Sequence, residues 1–230
     1  MLDHDLIIFD CDGVLVDTEP LTNALLAACV SEAGWAMTPD ESVRRFKGRD
    51  LHEIRAEVEA RLGRQLPGLI ETYRARMYEA FERTPPPPVE GVIELLDTLD
   101  AMGGRAPKRC VASNGPTKKM LASLTGARLL DRFACPSTRA HLDGHAVFSA
   151  YDVGVWKPAP DLFLHAARAM DADPAACLVI EDSPSGVIAG IRAGMRVVAL
   201  AGLTPADALR DAGALEIISS LHELRGASSA

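Results

Sequence analysis

Residues 6–13 read LIIFDCDG, a short apolar run that ends in two acidic residues. A run this short and this apolar is typical of a strand that is buried on both faces of a sheet. Similar runs recur along the chain at 109–113, 177–182, 197–200 and 215–218, and most are separated by helical patterns, of which the clearest are 90–102 and 160–170. Strands that alternate with helices predict an α/β fold with a doubly wound, Rossmann-like parallel sheet.

One long segment breaks this alternation, because it shows helical periodicity and no convincing strand. Within it, Thr38 followed by Pro39 is typical of a helix N-cap with proline at the first helical position. The segment ends at four consecutive prolines, 85–88, which cannot continue a helix. We therefore expect an α-helical cap at residues 18–84, inserted into an α/β catalytic core that is formed by residues 1–17 and 85–230.

The composition disfavours several classes of protein and partner. With 24 basic and 32 acidic residues, the net charge of −8 disfavours nucleic acid and anionic membranes as partners. No apolar run approaches the roughly 18 residues of a membrane span, and the acidic N-terminus is unlike a secretory signal. The five cysteines form no Cys-x-x-Cys pair, which disfavours a disulfide framework and a structural zinc site. We expect a monomeric, cytoplasmic protein without nucleic-acid or membrane partners.

Polar side chains stand at the ends of three predicted strands: Asp10 and Asp12, Ser113 and Asn114, and Glu181 and Asp182. Because ligands bind at the carboxyl ends of the strands in an open parallel sheet, up to four acids can converge there. Converging carboxylates need a cation, and oxygen-only ligands favour a hard cation such as Mg²⁺. The polar residues at any one of these strand ends, taken alone, are also typical of an ordinary turn.

Two acids beside such a metal site suit phosphoryl transfer. A carboxylate such as that of Asp10 is a known nucleophile toward phosphorus, with which it forms an aspartyl-phosphate. The reaction needs a metal, donors for the phosphoryl oxygens and a second acid, such as Asp12, for the leaving oxygen. Lys157 is the candidate donor, because it follows an apolar-aromatic stretch and precedes a proline. The alternative is a solvated surface lysine.

Four short motifs, in this order, resemble those of the haloacid dehalogenase-like phosphotransferases. They are DCDGVLVDTE at 10–19, SNG at 113–115, KP at 157–158 and EDSPSG at 181–186, and the resemblance covers essentially the whole chain, helical cap included. The resemblance implies Mg²⁺ as the cofactor. It implies that Asp10 is the nucleophile and a metal ligand, and that Asp12 is the general acid/base and binds the metal through its backbone carbonyl. It further implies that Ser113 and Lys157 hold the phosphoryl group, that Asp182 is a direct metal ligand and that Glu181 binds the metal through water.

Comparison with the family motifs also distinguishes a phosphatase from a dehalogenase and from a mutase. Dehalogenating members lack an acid at the position of Asp12, so this residue favours phosphoryl chemistry. The alternative is a β-phosphoglucomutase-like isomerase, but residues 19–24 lack the histidine of the mutase cap, and no arginine stands four residues after Lys47. Within the family the chain resembles the bacterial 6-phosphogluconate phosphatases. This resemblance implies a phosphatase for a small phosphorylated metabolite, such as a sugar or sugar acid phosphate.

The cap carries a basic cluster: Arg44, Arg45, Lys47 and Arg49. Such a cluster can bind a second anionic group of a substrate, for example a carboxylate. We expect Lys47 and Arg49 of the cap, and Asn114 of the core, to contact the substrate. The alternative is a solvated helix face in which the basic residues pair with Glu41 and Asp50.

Two further sequence patterns do not bear directly on the predicted reaction. Gly186, Gly190 and Gly194 repeat every four residues, which predicts a helix packed closely on the sheet. Residues 136–145 are extra relative to the family pattern, and they precede Lys157 in the chain.

Overall fold

The computed structural model describes residues 4–47, 49–135 and 144–226. Of the extra stretch at 136–145, all but the last two residues lie outside the described ranges. The chain divides into two compact units, one formed by Met1–Asp17 with Pro87–Ala230 and the other by Thr18–Pro86.

The first unit, called the core here, is built on a six-stranded sheet in which all strands are parallel. The strands are β1 (Leu6–Phe9), β2 (Lys108–Ser113), β3 (Val147–Ser149), β4 (Cys177–Glu181), β5 (Arg196–Leu200) and β6 (Glu216–Ile218). Their order across the sheet is β3-β2-β1-β4-β5-β6, which is the doubly wound arrangement. The predicted fold class is therefore confirmed. The sequence did not predict β3, because three residues are too few to show a periodicity.

Helices cover both faces of this sheet. They are α5 (Val92–Ala101), α6 (Thr117–Gly126), α7 (Ala150–Val153), α8 (Asp161–Ala169), α9 (Pro184–Arg192) and α10 (Ala206–Asp211). Ile7 and Phe9 of β1 pack with apolar residues of α5 and α6, whereas Leu6 and Ile8 pack with those of α8, α9 and α10. Since successive side chains of a strand point to opposite faces, the two clusters lie on opposite sides of the sheet.

The glycine repeat lies on α9, where two of its members confirm close packing. A Cβ atom on Gly190 would lie 2.6 Å from Cγ2 of Val197 in β5, closer than the sheet allows. Gly186 is packed even more closely, against Glu181. Gly194 follows the helix with a φ of +73°, in the left-handed region that favours glycine.

The second unit, called the cap here, contains four α-helices and no strand within its described residues. They are α1 (Glu19–Glu32), α2 (Pro39–Phe46), α3 (Leu51–Leu62) and α4 (Leu69–Arg83). Thr38 is the N-cap of α2, as predicted, and exchanges hydrogen bonds with Glu41 in a capping box. The cap has its own apolar interior: Leu26, Val30, Phe46, Ile54, Val58, Ile70, Met77 and Phe81 are buried.

Two further findings concern the cysteines and the apolar length of the helices. All five cysteines are free thiols. Among the residues described, no helix has both the length and the apolar character that a bilayer span requires.

Candidate active site

The candidate site lies where the three central strands end. Phe9 of β1 pairs with Val111 of β2 on one side and with Ile180 of β4 on the other. Asp10 follows Phe9 directly, and its amide donates a hydrogen bond to the carbonyl oxygen of Ile180 at 3.0 Å. The sheet order thus brings together three strand ends that lie far apart in the sequence, as predicted from the polar residues at the ends of the predicted strands.

Lys157 is buried at the centre of this site. Its ammonium Nζ lies 2.6 Å from Oδ1 of Asp10, 2.7 Å from Oε1 of Glu181 and 2.9 Å from the carbonyl oxygen of Ala112. Burial alone would lower the pKa of Lys157, but the adjacent carboxylates outweigh it and raise the pKa above its usual value. The ammonium therefore stays charged, and the alternative of a solvated surface lysine is wrong.

Asp10, Glu181 and Asp182 form an acidic cluster that is compatible with a divalent metal ion. One carboxylate oxygen from each residue lies within 4.8 Å of the others. Burial raises the pKa of Asp10 to about 8; Lys157 opposes this rise, whereas the charges of Glu181, Asp182 and Asp12 add to it. Because the carboxylates outnumber the single ammonium, a divalent cation would relieve their repulsion.

Two glycines leave the space that these carboxylates occupy. A Cβ atom on Gly13, which has a φ of +82°, would lie 2.4 Å from Oδ2 of Asp182. A Cβ atom on Gly186 would lie 1.7 Å from Oε1 of Glu181. Both distances are far inside van der Waals contact, so a side chain at either position would displace an acid of the cluster. The donor set, the burial and this reserved space together fit a hard divalent cation.

Glu181 is held from several sides. Its Oε1 accepts the bond from Lys157, while Oε2 accepts from the amides of Asp182 and Ser183 and from the Ser183 hydroxyl, each at 2.9 Å. The Ser183 hydroxyl in turn caps α9 by accepting from the amide of Gly186 at 3.1 Å. Glu181 thus fixes the loop that carries Asp182.

The second strand end contributes Ser113 and Asn114. Ser113 is buried, and its hydroxyl accepts from the amide of Gly115 at 3.1 Å. The side-chain amide of Asn114 holds the backbone of Lys157: Oδ1 accepts from its N–H at 2.9 Å, and Nδ2 donates to its carbonyl at 3.3 Å. Asn114 therefore positions Lys157, and a contact with substrate stays a prediction.

The structure adds one residue that the sequence analysis did not select. Lys119, in the first turn of α6, lies with Nζ 2.8 Å from Oδ2 of Asp12. The two side chains are only 17% and 18% exposed. In the sequence, Lys119 is part of the resemblance to the bacterial 6-phosphogluconate phosphatases, but that resemblance assigned it no role.

Two members of the basic cluster of the cap, Arg45 and Arg49, form ion pairs within their own unit. Nη1 of Arg49 lies 2.6 Å from Oε2 of Glu57, and Arg45 bonds to the other oxygen of the same carboxylate. These hydrogen bonds hold the pKa of Glu57 below its usual value. Glu41 and Asp50, the expected alternative partners, instead cap α2 and α3. Two of the four basic residues therefore pair with a carboxylate, but it is that of Glu57 in α3 and not the predicted Glu41 or Asp50.

Comparison with known families gives one match over most of the chain. The model of the haloacid dehalogenase-like hydrolases matches residues 4–194.

Among curated proteins, the chain is 34% identical over 195 residues to 6-phosphogluconate phosphatase of Escherichia coli K12, which covers 84% of this chain and 80% of that one. It is 31% identical over 228 residues to validoxylamine A 7′-phosphate phosphatase of Streptomyces hygroscopicus subsp. limoneus, covering 96% of both. Among solved structures, a conserved haloacid dehalogenase-like protein of unknown function from Agrobacterium tumefaciens C58 superposes with a TM-score of 0.78 at 32% identity, covering 96% of both chains.

Proposed function

This chain belongs to the haloacid dehalogenase-like hydrolases and is a phosphatase, and we propose that it releases phosphate from a small phosphorylated sugar or sugar acid, with 6-phosphogluconate as the first candidate. One observation carries the proposal. The buried carboxylate of Asp10 is held against the Lys157 ammonium, within an acidic cluster at the end of the central strand. A bound divalent cation would favour the ionised form of Asp10, and in that form the carboxylate is placed to attack phosphorus.

In the proposed first step, a carboxylate oxygen of Asp10 forms a bond to phosphorus while the bond from phosphorus to the leaving oxygen breaks. Asp12 gives its proton to the leaving oxygen, so that the product departs as a neutral alcohol. Lys157 and the Ser113 hydroxyl stabilise the charge on the phosphoryl oxygens. The product of this step is an aspartyl-phosphate at Asp10.

In the second step, a water molecule attacks the phosphorus of the aspartyl-phosphate. Asp12, now a carboxylate, takes the proton of that water, the acyl oxygen leaves phosphorus, and Asp10 is regenerated with free phosphate. We propose that Mg²⁺ is the cofactor, held by Asp10, Asp182 and the backbone carbonyl of Asp12. When bound, it would neutralise phosphoryl charge. Since both oxygens of Glu181 already accept hydrogen bonds within the protein, Glu181 would contact the metal through water.

The nature of the substrate is supported by relatives and by charge. Both curated relatives described above are named as phosphatases of small phosphorylated metabolites. A sugar acid adds a carboxylate, which Lys47 and Arg49 of the cap can bind as a second anionic group. The guanidinium of Arg49 already donates a hydrogen bond to Glu57, so Arg49 would bind Glu57 and the substrate at the same time.

The role of the two cap residues is tested by steady-state kinetics. We expect Lys47→Ala and Arg49→Ala each to raise the KM for a sugar acid phosphate and to leave the KM for 4-nitrophenyl phosphate, which has no second anionic group, unchanged. Arg83→Ala is the matched control, since this exposed arginine of α4 pairs with Glu79 of the same helix. Unchanged KM values for both substrates in both cap variants would overturn this part of the proposal.

The proposed activity is tested by phosphate release with Mg²⁺ across a panel of metabolites. The panel contains 6-phosphogluconate, β-glucose 1-phosphate, phosphoglycolate and hexose 6-phosphates, with Asp10→Asn as the control. We expect release from one or a few sugar or sugar acid phosphates and none from the variant. Conversion of β-glucose 1-phosphate to the 6-phosphate without release would instead establish a mutase.

A further inference from the structure

The ion pair between Lys119 and Asp12 lies beside the groups that are proposed to bind the phosphoryl group. A Cβ atom placed on Gly115 would be 3.5 Å from Oγ of Ser113, 3.6 Å from Oδ2 of Asp12 and 3.8 Å from Cδ of Lys119. Three side chains from two strand ends and one helix therefore surround a single point. Lys119 is part of this group although it belongs to none of the four motifs.

Lys119 is presented by a rigid element. It is the third residue of α6, and its amide donates to the carbonyl oxygen of Pro116 at 2.9 Å. The next residue, Met120, is fully buried, as is Leu124 one turn further, so the helix is anchored to the hydrophobic cluster beneath the sheet. A lysine on such a helix can hold its ammonium in one place.

Asp12, in contrast, stands on a loop. It follows β1 by three residues, and its neighbour Gly13 adopts a φ of +82° that a turn requires. A carboxylate on a short loop needs a partner to select one orientation. The Nζ–Oδ2 distance of 2.8 Å identifies Lys119 as such a partner.

We propose that Lys119 is a positioning residue, which holds the carboxyl group of Asp12 where it can transfer a proton to the leaving oxygen. The proposal rests on the proposed function, in which Asp12 gives its proton as the bond between phosphorus and the leaving oxygen breaks. Proton transfer requires the donor within hydrogen-bond reach of the leaving oxygen. A displacement of about 1 Å can reduce the rate of such a step by about 100-fold.

The dependence on leaving group separates this role from a structural one. A nitrophenolate leaves without a proton, whereas an alkoxide requires one. Loss of Lys119 should therefore slow the hydrolysis of an alkyl phosphate much more than that of a nitrophenyl phosphate. A lysine that merely stabilised the fold would change both rates by the same factor.

The experiment compares Lys119→Met with wild type on benzyl phosphate and 4-nitrophenyl phosphate, two probes of similar size, in single turnovers. We expect the ratio of the two rates to fall by about 10- to 100-fold. Because the ratio is taken within one variant, it does not depend on the fraction of protein that is folded. Lys119→Arg should restore most of the ratio, and Lys118→Met, at the exposed neighbouring lysine, should leave it unchanged.

A double variant tests whether Lys119 acts through Asp12. In an Asp12→Ala background, Lys119→Met should cause no further fall in the ratio, because the group it positions is gone. An unchanged ratio in the single variant, or a full additional fall in the double variant, would overturn the role of Lys119. Absence of phosphate release by wild type from these probes and from every sugar phosphate would instead overturn the proposed function.

Discussion

At the scale of single residues, Lys157 explains how several acids can share a buried site. Its ammonium lies between the carboxylates of Asp10 and Glu181, and the three side chains are almost entirely excluded from solvent. One ammonium does not balance this cluster, since Asp182 adds a further carboxylate. Burial, with a further contribution from the neighbouring carboxylates, therefore raises the pKa of Asp10 to about 8, although Lys157 opposes this rise.

This raised pKa predicts how stability depends on pH without divalent metal. From about pH 4 to about pH 8, the folded protein keeps a proton on Asp10 that the unfolded chain has released, so the free energy of unfolding should fall as the pH rises. Asp10→Asn removes this titration. The free energy of unfolding of the variant, minus that of wild type, should therefore increase with pH, by at most about 1.4 kcal/mol per pH unit.

Urea denaturation in a chelator, at about pH 5 and about pH 8, measures this difference. Asp211→Asn, at an exposed aspartate of α10, is the matched control, and its difference from wild type should be the same at both pH values. A difference for Asp10→Asn that is equally constant would contradict the raised pKa.

The space beside Glu181 predicts a second residue-scale effect. Gly186→Ala would place a Cβ atom 1.7 Å from Oε1 of Glu181, so the carboxylate or α9 must move. We expect a loss of roughly 1–3 kcal/mol in the free energy of unfolding, as is typical of overpacking, together with slower phosphate release. Gly202→Ala is the control, because a Cβ atom there meets no other atom within 4 Å. Equal stability of the two variants would show that the site tolerates displacement of Glu181.

The sequence predicted the convergence of the site residues well but their individual contacts poorly. Asp10, Ser113 and Asp182 could be identified because each stands at a strand end, and parallel strands end at one edge. Lys119 was not assigned to the site, because a lysine in the first turn of a helix is ordinary in sequence. Its contact with Asp12 depends on the orientation of that helix over the sheet.

At the scale of elements, the N-terminus of α2 tests how a local signal stabilises the cap. Thr38 and Glu41 satisfy each other's backbone amides in a capping box. Thr38→Ala should lower the free energy of local opening of α2 by about 1 kcal/mol. This change corresponds to roughly five-fold faster hydrogen exchange of the α2 amides that open locally. Hydrogen-exchange mass spectrometry of the α2 peptide measures this rate.

Thr125→Ala provides the control for that measurement, because Thr125 is an exposed residue inside α6, where alanine is the better helix former. It should leave exchange in α2 unchanged. Identical α2 exchange in Thr38→Ala and wild type would mean that the capping box contributes nothing to local stability.

Elements with strong local signals were predicted, and those without them were not. The proline after Thr38 marked the start of α2, and the apolar run at 6–9 matched β1 at both ends. The pairing of Arg45 and Arg49 with Glu57 could not be anticipated, because it depends on how α2 and α3 pack against each other. Helical periodicity identifies each helix but does not fix that packing.

At the scale of the whole molecule, a metal site assembled from distant segments should link metal binding to folding. If Mg²⁺ binds only the folded protein, a concentration 100-fold above its Kd stabilises the fold by about 2.7 kcal/mol. Thermal denaturation without substrate should therefore show a higher Tm in Mg²⁺ than in chelator. Asp182→Asn should abolish most of this shift.

The exposed-aspartate variant Asp211→Asn again serves as the control and should keep the full shift in Tm. A full shift in Asp182→Asn would place the stabilising metal elsewhere. This measurement is independent of catalysis, so it distinguishes a lost metal ligand from a lost substrate contact.

The fold as a whole follows from the order of its strands. The first strand of the chain lies in the middle of the sheet, so the residue after it has neighbours from two later strands. The alternation of runs and helices was sufficient to predict this α/β architecture and the edge that carries the site. The alternation was insufficient to predict the substrate, because the positions of the side chains that select the substrate depend on tertiary contacts.

Covalent trapping of the enzyme during turnover shows directly whether Asp10 is the nucleophile. Borohydride reduces an aspartyl-phosphate to homoserine, which peptide mass spectrometry can locate in the chain. With a sugar phosphate that the enzyme hydrolyses, we predict homoserine at position 10 in wild type, and none without substrate or in Asp10→Asn. Phosphate release at a normal rate without homoserine at position 10 would exclude Asp10 as the nucleophile, because water or another residue would then attack the phosphorus.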